Sequence, residues 1–366
     1  MLGAVLEVKT AVQHQPNDLD STDPDRRIVL EKAPAPALAS LRWPGRPKLA
    51  NGNPSWTYAV DHPLGKFAVF IGHVENGRPH PFEVWVNGSE QPRGLGAIGK
   101  TLSMDMRAND RLWLRTKLEA LAKAAGDDGF DLEMPPQGDK VRVPSLVSGL
   151  ARLITYRCNE LGIFAEDDAS TPVMDALFSK KEPKAGPNGT MSWTVDVRND
   201  ATGDDLVMGL KELIMPSGER RPYSIWLSGE YPRALDGLCK QLSLDMRVID
   251  PAWIGLKLQK LLDYGEANGE FRARIPGSEK SQWWPSTVAY LARLVIHRYA
   301  MLGILTEEGV PVNHTGILAM PDGVQGIALG LQPLPGKRCT ACGNKALIRK
   351  DGCEFCTACG EIGACG

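Results

Sequence analysis

The chain of 366 residues has little net charge, no long apolar run and only two cysteines outside its last 28 residues. A formal net charge of -2 excludes a large basic surface for nucleic acid and a strongly acidic one. No stretch approaches the roughly 18 apolar residues of a membrane span. Residues 1–10 lack the basic start and apolar core of a signal peptide. We therefore expect a cytoplasmic protein without a membrane partner, in which clustered cysteines indicate metal or redox chemistry.

Motifs of self-contained catalysis are also missing. The sequence has no P-loop, no nucleophile elbow, no dinucleotide fingerprint and no paired-carboxylate signature. The six histidines form no group with metal-ligand spacing, and His73 and His80, which flank a predicted hairpin, are expected to be exposed. Cys158 and Cys239 fall in predicted helices, where we expect them to be buried and inert. The sequence therefore predicts no complete active site.

An internal repeat organises the middle of the chain. Residues 81–88 (PFEVWVNG) return as 222–229 (PYSIWLSG), and 102–107 (LSMDMR) return as 242–247 (LSLDMR). Further matched pairs are Trp56/Trp193, Trp113/Trp253, Lys117/Lys257, Ser145/Ser286, Leu150/Leu291 and Leu161/Leu302. Because matches over more than 100 residues keep nearly one offset, residues 55–165 and 190–306 are interpreted as two copies of one domain.

Each copy places its predicted strands before its predicted helices. The strands are 56–60, 67–73 and 81–86 in the first copy, and 192–198, 206–214 and 223–227 in the second. The helices are 95–106, 112–125 and 145–162, matched by 234–246, 253–264 and 286–303. Ser145 is the expected N-cap of the last helix of the first copy. This order predicts an α+β fold, in which helices cover one face of an antiparallel sheet.

The remaining segments are predicted to be extended or linking. Their composition favours an extended N-terminal segment over 1–54, a polar linker over 166–189, a proline-containing tether over 307–336 and a zinc ribbon over 337–366.

Several polar and aromatic residues occur in both copies. The polar ones are the pairs Arg93/Arg233, Asp105/Asp245 and Arg107/Arg247. They indicate either two equivalent anion or partner sites or, as we favour, a structural pairing of Arg with Asp that fixes a helix to a loop. The pairs Trp85/Trp226 and Trp113/Trp253 are expected to be core or interface aromatics.

The last 28 residues contain six of the eight cysteines. The pentapeptide Cys-Thr-Ala-Cys-Gly occupies 339–343 and again 356–360, so two Cys-x-x-Cys pairs are separated by 13 residues. This spacing is typical of a tetrahedral four-thiolate Zn²⁺ site. The predicted ligands are Cys339, Cys342, Cys356 and Cys359. A rival set uses Cys353 in place of Cys356, and a disulfide scaffold fits secreted proteins better.

The ribbon also permits a function without redox chemistry. Residues 345–350 (KALIRK) are predicted to form a strand, followed by a turn at Asp351 and Gly352. The nearby basic residues are Lys337, Arg338, Lys345, Arg349 and Lys350. Zinc ribbons with local basic charge dock nucleic acid or a protein surface, although such charges also occur on solvated faces. A binding module is therefore the alternative function, and a purely structural adaptor for a catalytic subunit is a third.

The tail 351–366 (DGCEFCTACGEIGACG) resembles the C-terminus of adenosylcobalamin-dependent (class II) ribonucleotide reductases, which ends in a ribbon of the form CxxCG…GCxxCxxCGxxxC. The segment 81–107 is similar to the TSCPD-type domain that precedes this ribbon in the same reductases. The name-giving Thr-Ser-Cys-Pro-Asp motif is absent from both copies, as are the catalytic barrel and its active-site cysteines. The chain thus looks like the C-terminal, accessory portion of such a reductase.

This resemblance implies a role for the two remaining cysteines of the tail. In the family, a C-terminal dithiol reduces the active-site disulfide after each turnover and is itself reduced by a thioredoxin-like partner. The residues implied here are Cys353 and Cys365, which lie outside the preferred ligand set. The other interpretations are that both are unpaired or that Cys353 is a surplus ligand. The resemblance further implies a catalytic reductase chain as partner, with adenosylcobalamin bound by that part and Zn²⁺ by this one.

Overall fold

The computed structural model describes residues 37–43, 45–74, 79–165, 171–185, 188–215 and 218–312, and the backbone of three strands at 347–350, 353–356 and 362–365. The chain divides into two compact units: the first contains the first repeat together with residues 232–238, and the second contains the rest of the second repeat. Every sheet in the described residues is antiparallel, and the class is mixed α and β, as the sequence predicts.

The first unit starts with a three-stranded sheet and adds helices after it. The sheet has the order β1 (Ser55–His62), β2 (Gly65–Val74) and β3 (His80–Asn87), followed by helices α1 (Leu95–Met106) and α2 (Arg111–Ala122). A hairpin of β4 (Phe130–Met134) and β5 (Asp139–Val143) leads to the long helix α3 (Leu146–Glu160). Helix α1 packs on β3, and α2 packs on α3.

The second repeat has the same order of elements. Following the short helix α4 (Pro172–Asp175), its elements are β6 (Ser192–Asn199), β7 (Asp204–Ile214), β8 (Arg220–Glu230), α5 (Ala234–Met246), α6 (Pro251–Leu262), β9 (Phe271–Arg274), β10 (Ser281–Trp284) and α7 (Thr287–Met301). Both sheets carry a register irregularity in the middle strand, between Gly72 and His73 in the first and between Lys211 and Glu212 in the second. The predicted strands and helices of both copies are confirmed.

The long helix of each unit begins at a serine cap. The Ser145 hydroxyl accepts a hydrogen bond from the Ser148 backbone N–H at 3.1 Å and donates one to Ala124 O at 2.6 Å. Ser286 accepts from Ala289 N at 3.1 Å in the same way. Such a cap satisfies one of the unpaired N–H groups of the first helical turn. The predicted role of Ser145 is therefore confirmed.

Alternation along the strands places the apolar core between each sheet and its helices. In the middle strand of the first unit, Phe67, Val69 and Ile71 are buried. Lys66, at the start of this strand, is exposed. Burial at every second residue is expected for a strand in a sheet that has one face covered by helices. The opposite, outer face of the sheet is consequently free to carry polar and aromatic residues.

A segment before each sheet pairs with the end of the helix that follows the sheet. Leu41 forms an antiparallel bridge with Ala108, and Leu177 forms the equivalent bridge with Val248. Residues 37–40, within the segment expected to be extended, form a 3₁₀ helix. Neither bridge was predicted, because these short segments show no alternation of apolar residues.

Candidate functional site: the cysteine ribbon and the repeated polar clusters

The cysteine-rich tail contains a three-stranded antiparallel sheet. Its strands are β11 (Leu347–Lys350), β12 (Cys353–Cys356) and β13 (Ile362–Cys365), with β12 in the middle. Lys350 pairs with Cys353, so the first two strands are joined by the two residues predicted to form a turn. This backbone positions three of the six tail cysteines.

Cys353 and Cys365 are register partners across β12 and β13. Directly opposed residues of an antiparallel pair have Cα atoms about 4.5–5.5 Å apart. A disulfide spans Cα separations of about 4.4–6.8 Å. The strand pairing therefore brings the backbones of the two candidate redox cysteines to a separation that suits a disulfide.

Of the four predicted metal ligands, only Cys356 lies within the described residues. Cys339, Cys342 and Cys359 lie outside the described residues, and Cys356 lies at the end of β12 opposite Leu347. The donor set itself, four thiolates in two Cys-x-x-Cys pairs, suits Zn²⁺ rather than a hard cation. Where side chains are described, no group of three or more His, Cys, Asp or Glu residues has the geometry of a metal site.

Cys158 and Cys239 are both buried, as predicted. Burial raises the pKa of the Cys158 thiol to about 12, because an apolar environment disfavours the thiolate. Since the thiolate is the reactive form, Cys158 does not act as a nucleophile near neutral pH.

The repeated aspartate of the first unit belongs to a fully buried polar cluster. The Asp105 carboxylate accepts hydrogen bonds from Trp113 Nε1 at 2.7 Å and from Lys117 Nζ at 2.9 Å. Both charged side chains have no solvent exposure. The Lys117 ammonium also lies 4.9 Å from the Trp113 ring centroid, at cation–π distance. The carboxylate thus joins α1 to α2.

The second unit contains the same cluster. Asp245 Oδ1 accepts from Lys257 Nζ at 2.7 Å and from Trp253 Nε1 at 2.8 Å, and the ion pair is again fully buried. The repeated aspartates are therefore structural, as favoured, but they pair with a lysine and a tryptophan, whereas an arginine was predicted as their partner. The sequence does contain a signal for this lysine, because Lys117 and Lys257 recur four residues after Trp113 and Trp253.

The repeated arginines after α1 and α5 donate to backbone carbonyls. Arg107 Nε donates to Phe82 O at 3.2 Å, and Arg247 Nε donates to Ser243 O at 2.9 Å. Burial lowers the pKa of both guanidinium groups, to about 10 for Arg247. These contacts fix the helix ends, so they support a structural role.

A second pair of equivalent clusters differs between the units. In the second unit, Arg298 donates from Nη2 to Glu212 Oε2 at 2.9 Å, and its guanidinium lies 5.6 Å from the Trp193 ring centroid. In the first unit, Arg157 lies 4.2 Å from the Trp56 ring centroid, and His73 takes the position of the glutamate. The stacked Arg–Trp pair is thus common to both units, whereas the buried carboxylate occurs in one.

The expectation that His73 and His80 are exposed is wrong, because both are buried. His80 Nε2 lies 2.9 Å from Met106 O and must donate, since a carbonyl only accepts. Trp43 lies beside the His80 ring, with centroids 5.4 Å apart. The segment before the sheet and the end of α1 cover this strand end, which the hairpin position alone did not reveal.

No helix in the part of the chain that the structure describes has the length and apolar character needed to cross a membrane. No protein-family model, no curated protein and no solved structure matches this chain.

Proposed function

We propose that the chain is an accessory portion of a B12-dependent ribonucleotide reductase and supplies a dithiol, Cys353 and Cys365, that reduces the disulfide of the catalytic part. The observation that carries the proposal is the register of β12 and β13, which makes these two cysteines direct partners. Cys158, which burial holds as a thiol, is a poor candidate for the same chemistry. The resemblance of the tail to this family supports the identity of the partner.

The chemistry requires two thiol–disulfide exchanges. One thiolate of the pair attacks a sulfur of the catalytic disulfide, which releases a thiolate and leaves a mixed disulfide. The second cysteine of the pair then displaces the other catalytic sulfur. Two electrons and two protons have passed to the catalytic cysteines, and Cys353 and Cys365 are joined by a disulfide. A thioredoxin-like protein reduces that disulfide by the same two steps.

In this proposal Cys339, Cys342, Cys356 and Cys359 hold Zn²⁺. The metal supplies a structural clamp for the ribbon and takes no part in the exchange. The two units serve as the body that docks the catalytic chain, where adenosylcobalamin and the substrate ribonucleotide bind. Such a dithiol works in the reducing cytoplasm, where thioredoxin-like reductants maintain it.

The first test counts thiols in the zinc-loaded full-length chain. Under native conditions we expect two tail thiols to react with a thiol reagent, and mild oxidation to join Cys353 to Cys365, as identified by peptide mass mapping. Cys365→Ser should abolish that disulfide, whereas Cys239→Ser, at a buried position, should leave it unchanged. A tail without reactive thiols, or a disulfide that involves Cys356, would refute the shuttle.

The second test measures turnover with the catalytic chain. Cys365→Ser should abolish the thioredoxin-driven rate and preserve the rate with a small dithiol that enters the active site directly. An unchanged thioredoxin-driven rate would instead favour the zinc ribbon as a module that docks nucleic acid or a protein.

A further inference from the structure

A cavity of about 440 Å³ opens on the outer face of the first sheet. Ser55, Phe70, Glu83, Trp85 and Asn87 line it from the three strands, and Arg46 lines it from the segment before β1. This volume lies in the range of small-molecule sites, about 300–1,000 Å³. The cavity belongs to no cluster described above.

Two aromatic residues on neighbouring strands line this cavity. Phe70 and Trp85 are register partners on β2 and β3, and both belong to the outer face of the sheet. Trp85 is 55% exposed, so much of its large apolar ring is accessible to a ligand. An exposed indole next to a second aromatic ring on a sheet is a stacking platform for flat ligands.

Glu83 fixes the platform. Its carboxylate accepts from Trp85 Nε1 at 2.8 Å and from Arg46 Nη2 at 3.0 Å, and the carboxylate itself is buried. Its side chain lies across Gly72, where an added Cβ would come within 2.6 Å of Glu83 Cγ. The Arg46 guanidinium lies over the indole ring, 5.9 Å from its centroid. The indole is therefore oriented before any ligand arrives.

The polar groups of the cavity suit a neutral ring with hydrogen-bonding edges. The charges of Arg46 and Glu83 compensate each other within one ion pair. Ser55 and Asn87 add a hydroxyl and an amide, which both donate and accept. Nucleobases have this combination of a flat π-face and an edge of donors and acceptors.

The second unit differs at the two positions that build the platform. Gly209 replaces Phe70 opposite the tryptophan, and an added Cβ at Gly209 would lie 2.1 Å from Trp226 Cε2. The Trp226 ring thus rests on the middle strand, in the space that Phe70 occupies in the first unit. Ser224 stands at the position of Glu83. The second sheet therefore provides a matched control within the same chain.

We propose that this cavity binds a nucleobase, presented by a free nucleotide or by a single strand, through stacking on Trp85. The inference is independent of the cysteine chemistry, so loss of the dithiol leaves it unaffected.

Binding of adenosine 5′-monophosphate to the full-length chain is measured by calorimetry, and binding of a labelled ten-residue deoxyadenosine oligonucleotide by fluorescence anisotropy. Stacking on one aromatic ring contributes about a 5- to 150-fold change in affinity. Trp85→Ala should weaken binding by about 10-fold or more, whereas Trp226→Ala should not change it. Trp85→Tyr, which keeps a ring, should restore most of the affinity.

The two probes distinguish the sources of the base. Similar affinity for both indicates a single-nucleotide site, and much tighter binding of the oligonucleotide, lost in Trp85→Ala, indicates a single strand. The proposal is overturned if neither probe binds at millimolar concentration, if Trp226→Ala causes the same loss, or if a neutral oligosaccharide binds instead with the same dependence on Trp85. Thermal unfolding confirms that each variant is folded.

Discussion

The two units share a buried ion-pair cluster but differ on the outer faces of their sheets. Asp105 with Lys117 and Asp245 with Lys257 have nearly the same distances and no exposure. On the outer faces, Phe70 in one unit corresponds to Gly209 in the other. Loss of one partner of a buried pair leaves an uncompensated charge, so such a cluster changes only as a whole. An outer face has no such constraint and is free to acquire a separate function in each copy.

The largest expected effect comes from breaking the shared cluster. Lys117→Met in the first unit and Lys257→Met in the second should each lower the free energy of unfolding by about 3–5 kcal/mol, because each leaves a buried carboxylate without its cation. Denaturant unfolding of the full-length chain checks this. Lys66→Met, which removes the cation of the exposed pair with Asp61, is the matched control and should change stability little. Equal effects at buried and exposed lysines would contradict the comparison.

A smaller effect separates the units at their Arg–Trp stacks. Glu212→Gln should lower the stability of the second unit by about 2–3 kcal/mol, because Arg298 loses a charged acceptor. The corresponding change in the first unit, His73→Gln, should cost about 1 kcal/mol, since no carboxylate is removed there. The same denaturation assay measures both variants. Equal losses would show that the stacked ring, rather than the carboxylate, holds the arginine.

The pH dependence of unfolding distinguishes the units once more. Burial lowers the pKa of His80 to about 4, with smaller contributions from Arg42 and Arg111, whereas the second unit has Arg221 at this position. The unfolded chain therefore binds a proton between about pH 6.5 and pH 4 that the folded first unit does not bind. Stability should fall over this range as pH decreases, by up to about 3 kcal/mol near pH 4.

His80→Gln, which keeps a donor for Met106 O, is the variant that tests this dependence. It should flatten the stability profile between pH 4 and pH 6.5 when unfolding midpoints are measured by circular dichroism. A profile that is equally steep in the variant would assign the pH dependence to other groups.

Regular elements of the fold were predictable because their signals are local. Alternation marked the strands, helical spacing marked the helices, and Ser145 marked a helix start. The hairpins β4–β5 and β9–β10 were missed, since strands of four or five residues give too few alternations to recognise. The same holds for the bridges at Leu41 and Leu177, each of which involves a single residue pair.

The candidate sites were predictable only where residues that act together also lie together in the sequence. The tail cysteines met this condition, although their pairing across β12 and β13 needed the strand register. The partner of Asp105 lies 12 residues away on the next helix, and the cavity unites Arg46 with Trp85 through the burial of Glu83. The burial of His80 depends on Trp43 and α1, which no local pattern describes.

The bridges of Leu41 with Ala108 and of Leu177 with Val248 extend the internal repeat beyond its matching sequence. The sequence similarity between the two copies begins near residues 55 and 192. The equivalent backbone pairing begins earlier, near residues 41 and 177. Main-chain hydrogen bonds place few demands on side-chain identity, so these two segments pair in the same way without a matching sequence. The structural repeat is therefore longer than the stretch in which the two sequences resemble each other.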